Sequence, residues 1–347
     1  MSEEMKPPSQ SIISTLRIFA ERFHQSSSCH KYEDTEEERQ REVLRETARE
    51  TRTELKHLLN YLRTTSSAEL SEKRSFKNIG RLNFKDCPCL PSPATIKVIN
   101  GDTLNTAIDM LQDPEAKQSL EKSYPLIINF ASHTKPGGGW LNGAMAQEES
   151  ICYRSSLALS LDFDDYPLAL EEAIYSPYVL VMRCDVESGH ELLSPPFPPE
   201  ELPVVSAITI AALYQPATRK IMHEPPRKKQ CGNSSWFSSS SPPSPPPLYR
   251  GENERFERDK DRNLTKSKMK LVLRMAARRK HELLVLGALG CGVYANPPAE
   301  IAQCWLEVLE EHEFHGNWWR EVCFAVHDPK NNGNFKVFHE ILDGKQV

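Results

Sequence analysis

Apolar positions along this chain keep two different periods. From about Glu36 to Arg63 the sequence is charged and has neither Gly nor Pro, and Val43, Thr47, Thr51, Leu55, Leu58 and Leu62 recur three or four residues apart. That spacing predicts an amphipathic helix, with a shorter one expected around Ile12 to Phe23. Residues 66–93 hold no period and are read as an irregular connector. At Thr95 the pattern changes. Thr95-Ile96-Lys97-Val98-Ile99 is a β-type run, and helical spacing follows from Thr103 through Ala107, Met110 and Leu111. Further strands are expected at Leu126 to Ala131, Val179 to Met182, Val204 to Ile210, Leu283 to Gly287 and Val322 to Val326. Helices are expected at Thr265 to Lys280 and Pro298 to Phe314. Strands alternating with helices predict an α/β layered domain whose ligand site lies where strand C-termini run into loops.

The organisation expected is an N-terminal helical accessory region at 1–94 and a main domain at 95–347. One segment interrupts that domain. Between 218 and 250 the composition turns to Lys, Ser and Pro, including Pro225-Pro226-Arg227-Lys228-Lys229 and a Ser/Pro run from Ser238 to Pro247. Such a stretch has too little apolar surface to fold, so a disordered insertion is expected, and its basic cluster is also compatible with a nuclear-import signal.

Charge and cysteine usage narrow the class. A net charge of −5, from 43 basic and 48 acidic residues, excludes a protein held to nucleic acid by bulk electrostatics. The most apolar stretch, Val204 to Leu213, is about half of a bilayer span, so no membrane is expected. The N-terminus is polar and Pro-rich, without a signal-peptide pattern. Nine scattered cysteines suit a reducing compartment. An intracellular monomer, in nucleus or cytoplasm, is the expectation. Cys87-Pro88-Cys89 and Cys29-His30 have no matching second pair at zinc-finger spacing, so they are read as ordinary thiols and no metal is implied.

Three motifs carry chemistry. Gly137-Gly138-Gly139 lets a backbone pass close to a ligand. Gln147-Glu148-Glu149 opens an expected helix through Ile151, Cys152 and Leu157, and paired carboxyls there suit acid–base work on a glycosidic bond. Gly290-Cys291-Gly292-Val293-Tyr294 follows a buried strand and precedes the helix at Pro298, the arrangement that binds anions at helix N-termini. Taken singly, each has a plainer use, as a turn, as helix capping or as a tight connection.

Together, in this order and with Ile128-Asn129-Phe130-Ala131-Ser132 just upstream, they resemble the microbial-type poly(ADP-ribose) glycohydrolases (PARGs), in particular a fungal-like member with an N-terminal helical extension. The resemblance runs from Thr95 to Leu342 outside the insertion, with a weaker echo at Arg45 to Thr51. It implies a macrodomain-like three-layer α/β/α fold with a mixed sheet, no cofactor, and ADP-ribose or poly(ADP-ribose) on modified proteins as the partner. By the same resemblance Glu149 is the acid and then the base, while Glu148 and Gln147 hold the terminal ribose. Asn129 is implied as a ribose-hydroxyl ligand, and Tyr294, where many members have Phe, as the aromatic packed on that ribose. Asp102 is a candidate for the adenine end or a helix cap. Phe335 either touches adenosine or anchors the C-terminal segment. The compact form implies exo-acting hydrolysis.

Other readings stay open at this point. One is an ADP-ribose-binding macrodomain without activity, another a hydrolase of a related ADP-ribose derivative. A third is a Cys152–His133 nucleophile pair, against which stands the fit of Cys152 to the apolar face of its helix.

Overall fold

The computed structural model describes residues 36–112, 124–220 and 254–347. The expected helix at Ile12 to Phe23, the Cys29-His30 pair and nearly all of the expected insertion lie outside the described residues. The chain forms two units, 1–40 and 41–347, and the second holds every strand among the described residues.

In chain order the elements are helices α1 (Glu36–Leu62) and α2 (Thr65–Ala68), strands β1 (Glu72–Ser75) and β2 (Ile96–Ile99), helix α3 (Thr103–Gln112), strand β3 (Leu126–Phe130) and helix α4 (Gln147–Arg154). Strands β4 (Glu172–Leu180), β5 (Val204–Ile210), β6 (Thr218–Lys220) and β7 (Glu254–Phe256) come next. Helix α5 (Asp259–Arg278), strand β8 (Leu283–Gly287), helix α6 (Pro298–Leu309), strand β9 (Glu321–Ala325) and helix α7 (Asn334–Leu342) complete them. Seven strands make one sheet in the order β1-β4-β5-β3-β8-β9-β2, and β6 and β7 form a separate antiparallel pair. The five strands from β5 to β2 run parallel, while β4 and β1 are antiparallel additions at one edge.

The sheet is covered on both faces, as a parallel sheet must be. Successive side chains on β3 alternate between two cores. Leu126 and Ile128 join a cluster containing Leu271, Trp305 and Phe338 from α5, α6 and α7. Ile127 joins one containing Leu44, Leu104, Ile151 and Cys152 from α1, α3 and α4. The architecture is three-layered α/β/α. By the same alternation Asn129 shares the Ile127 face and points toward α4. Strand β3 pairs with β5 along its length, to Phe130↔Ile210, but with β8 only at Leu126 and Ile127. The C-terminal ends of β3 and β8 therefore part, which opens a crevice at the strand ends.

Two expectations need correction. The connector at 66–93 contains β1, a charged edge strand whose Glu-Lys-Arg-Ser sequence has no apolar period to reveal it. The boundary at 94 is not a break. Leu44 and Ala48 of α1 lie in the same core as α3 and α4, and β1 belongs to the main sheet, so the body starts at Arg41.

Candidate active site

Strand β3 delivers the chain into a glycine loop that folds back on itself. Gly137 and Gly138 take left-handed φ values of 67° and 59°. A side chain at Gly138 would overlap the Glu149 carboxyl, and one at Gly137 would meet the Trp140 ring at 2.9 Å. Gly139 turns its amide into the site, donating to Oε1 of Glu149 at 2.8 Å. The glycines thus serve a close approach to protein carboxyls.

The first turn of α4 presents three consecutive side chains, about 100° apart around the helix axis, to three different partners. Gln147 accepts from the Phe130 N–H at 2.7 Å and donates to the Ile128 carbonyl at 2.7 Å and the Thr103 hydroxyl at 3.1 Å. Its amide clamps α4 to β3 and α3, a bracing role beside the ribose contact that the resemblance implies. Glu148 accepts from Asn129 Nδ2 at 3.2 Å on one oxygen and from the Ser132 N–H at 2.7 Å on the other. Burial pushes its pKa up to about 8, against the lowering effect of those donors. Glu149 is also buried, at 8% exposure, yet only Oε1 is bound; among the described residues Oε2 has no hydrogen-bond partner.

Asn129 is fully buried between Glu148 and the Thr209 hydroxyl, to which it donates at 3.1 Å, and its Oδ1 has no partner. It reaches the site as the group that holds Glu148. Asp102 caps α3, accepting from the amides of Leu104 and Asn105 at 2.8 and 3.0 Å, and pairs with Arg154 at the far end of α4. The cap, of the two readings for Asp102, is what the structure contains. Phe335 starts α7, half-buried against the main core and edge-on to His339 at 5.5 Å.

The second glycine loop leaves β8 and enters α6. Gly290 has φ 74°, and a Cβ there would lie 2.5 Å from Ala212 and from Asn296. Asn296 ties the loop down, donating to the Leu213 carbonyl at 2.7 Å and to those of Gly290 and Tyr294 at 3.2 Å. Gly292 faces open space and Val293 is exposed, while Cys291 is packed and burial pushes its thiol up. Among the described residues the N–H groups of Gly292, Val293 and Tyr294 donate to no backbone carbonyl. Exposed, unpaired amides before a helix N-terminus suit a phosphate.

Tyr294 closes the site. Its hydroxyl is 3.4 Å from the His133 amide and from His133 Nδ1, and its ring is edge-on to Tyr214 at 5.1 Å. Sequence reasoning missed His133 in this role and missed Tyr214 altogether, because no motif marks a residue that joins the site from the loop after β5. The Cys152–His133 pair does not assemble. Cys152 is fully buried in the core and burial raises its thiol, while His133 is exposed beside Tyr294. Cys87 donates to the Gly316 carbonyl at 2.8 Å, and Cys89 is exposed.

The model of the microbial-type PARG catalytic domain matches residues 18–184. Over that stretch, just under half of its length, the chain is similar to microbial-type PARG catalytic domains. The match takes in all of α1, so the similarity reaches into the region expected to be an accessory. Among solved structures, the PARG of Thermomonospora curvata superposes with a TM-score of 0.60 at 23% identity, over 86% of this chain and 99% of that one. The PARG of Deinococcus radiodurans in complex with ADP-ribose gives a TM-score of 0.54 at 25% identity, over 80% and 96%. These likenesses carry the second glycine loop and α5 to α7, beyond the family match, into the same macrodomain-like fold. No curated protein matches the chain by sequence.

Proposed function

We propose that this domain releases ADP-ribose by hydrolysing ribose–ribose O-glycosidic bonds, with Glu149 as the single proton-transferring group. The observation that carries the assignment is the unequal binding of the two carboxyls. Both oxygens of Glu148 are taken by Asn129 and Ser132, whereas Glu149 is fixed by one donor and keeps Oε2 free. A group that gives and takes a proton needs a fixed position and an open oxygen.

In this reaction the diphosphate lies on the amides of Gly292 to Tyr294, and the terminal ribose sits between the Tyr294 ring and the first turn of α4. As the anomeric carbon–oxygen bond breaks, the leaving ribose oxygen takes the Glu149 proton and the sugar passes through an oxocarbenium-like state. Water adds to the anomeric carbon and returns its proton to Glu149. Burial raises the pKa of Glu148 to about 8, which favours its neutral form beside Glu149. Action at chain ends, on modified proteins inside the cell and by a monomer, completes the reading.

A binder of ADP-ribose without activity would have no use for a second buried carboxyl beside the bound one. The test measures free ADP-ribose released from poly(ADP-ribosyl)ated protein, by mass spectrometry, for wild type and Glu149→Gln. Release that falls by about 10²-fold or more in the variant, with ADP-ribose binding kept, is expected. Binding without release from wild type would instead make the domain a reader, or a hydrolase of another ADP-ribose derivative.

A further inference from the structure

Next to the site, a cleft of about 290 Å³ opens between the 168–170 segment, the loop 211–216 after β5, and the start of α5. His133 and Tyr214 line it, so the cleft is continuous with the Tyr294 side of the site, and His133 directly follows the amide that holds Glu148. Its charged lining comes from α5. Asp261 and Lys268, seven residues and two helical turns apart, share one face, and Arg258 precedes the first turn. Arg258 donates to Asp261 at 2.8 Å, which neutralises both. Lys268 is 2% exposed and has no hydrogen bond or ion pair among the described residues. Burial pulls its pKa down to about 8, against Glu171, which favours the charged form but makes no ion pair with it.

A buried ammonium without a partner is costly unless something occupies the cleft beside it. The sheet indicates what. Along the strand C-termini the loops come in the order β8, β3, β5. On the proposed function, on which this inference rests, the β8 loop takes the diphosphate of the bound unit and the β3 loop its terminal ribose. If the bound unit runs from the β8 loop to the β3 loop, continuing the same order carries the preceding unit to the β5 side. We infer that the Lys268 cleft receives a phosphate of that preceding ADP-ribose unit, making it a subsite for the leaving part of the polymer. Arg258, exposed at the rim, keeps the Asp261 carboxylate paired, so that it does not repel the same anion.

The experiment compares dissociation constants for ADP-ribose and for a dimer of two ribose-linked units. It uses the full chain carrying Glu149→Gln, which prevents hydrolysis, with and without Lys268→Met. Methionine keeps the apolar stem and removes the charge; a matching melting temperature confirms the fold, and Arg258→Ala serves as the second variant. The dimer is expected to bind more tightly than ADP-ribose. Lys268→Met should cost it about tenfold, with ADP-ribose changed less than about twofold, and Arg258→Ala should act in the same direction more weakly. Equal loss for both ligands, or none, overturns the inference. So does a Lys268-dependent response to inorganic phosphate alone with no advantage for the dimer, which would mean a free-phosphate site. Failure of the parent to bind either ligand removes the functional reading itself, and the subsite with it.

Discussion

Glu148 and Glu149 are neighbours in sequence with different surroundings, and the difference has a pH signature. Burial raises the Glu148 pKa from 4.5 to about 8 on folding. The unfolded state therefore binds fewer protons between these values. This contribution to stability is full below about pH 4.5, is lost as pH rises toward about 8, and is flat beyond. Glu148→Gln cannot ionise, so its melting temperature should gain on wild type as pH rises from about 4.5 to 8. Thermal melts across that window check this, and parallel curves would exclude a buried protonated Glu148. Gly138→Ala tests the close approach of the loop. With φ at 59° and the Glu149 carboxyl in the way, an added methyl should cost about 1–3 kcal/mol of stability and, by shifting that carboxyl, about 10²-fold in kcat. The motif residues were legible in the sequence because each is local. The duty of Gln147 was not, since its partners Thr103, Ile128 and Phe130 come from other elements.

Helix α1 shows how an element outside the motifs supports them. Thr51 is fully buried, donates to the Tyr153 carbonyl of α4 at 2.8 Å and accepts from Arg183 Nε at 2.8 Å. Tyr153 in turn donates to the Ala144 carbonyl in the glycine loop at 2.9 Å. The same helix meets that loop at Gly143, where a Cβ would strike the Arg41 backbone. Thr51→Val keeps the shape but strands a buried guanidinium N–H and a carbonyl. A loss of about 1–3 kcal/mol is expected, read as a lower melting temperature, with kcat falling because α4 and the loop are freed together. Unchanged stability and rate would mean that α1 only covers the core. The α1 period and its packing on the main domain were readable in the sequence, but its hydrogen bonds to α4 and the glycine loop were not, because an amphipathic face does not name its partner. Strand β4 was half-legible for a related reason. Pro177 interrupts it and the register shifts between Ser176 and Val179, so only the part from Val179 reads as a strand.

For the whole molecule, the pairing Lys220↔Glu254 brings the two ends of the 221–253 segment within one hairpin of each other. Replacing that segment with a two-residue Asn-Gly turn should leave the melting temperature within about 2 °C and the release of ADP-ribose unchanged. A large loss of either would assign the segment to the fold or the site. The sequence by itself determined the alternation of strands and helices, the two glycine loops and the Gln-Glu-Glu start of α4. These rest on periods and backbone freedom that near neighbours settle. Only the tertiary structure decided which carboxyl keeps a free oxygen, that Asp102 caps α3 and pairs with Arg154, and that Lys268 lines one cleft with His133. Each depends on the sheet order, which brings β3, β5 and β8 side by side from distant parts of the chain and so fixes which polar groups are satisfied and which are left for a ligand.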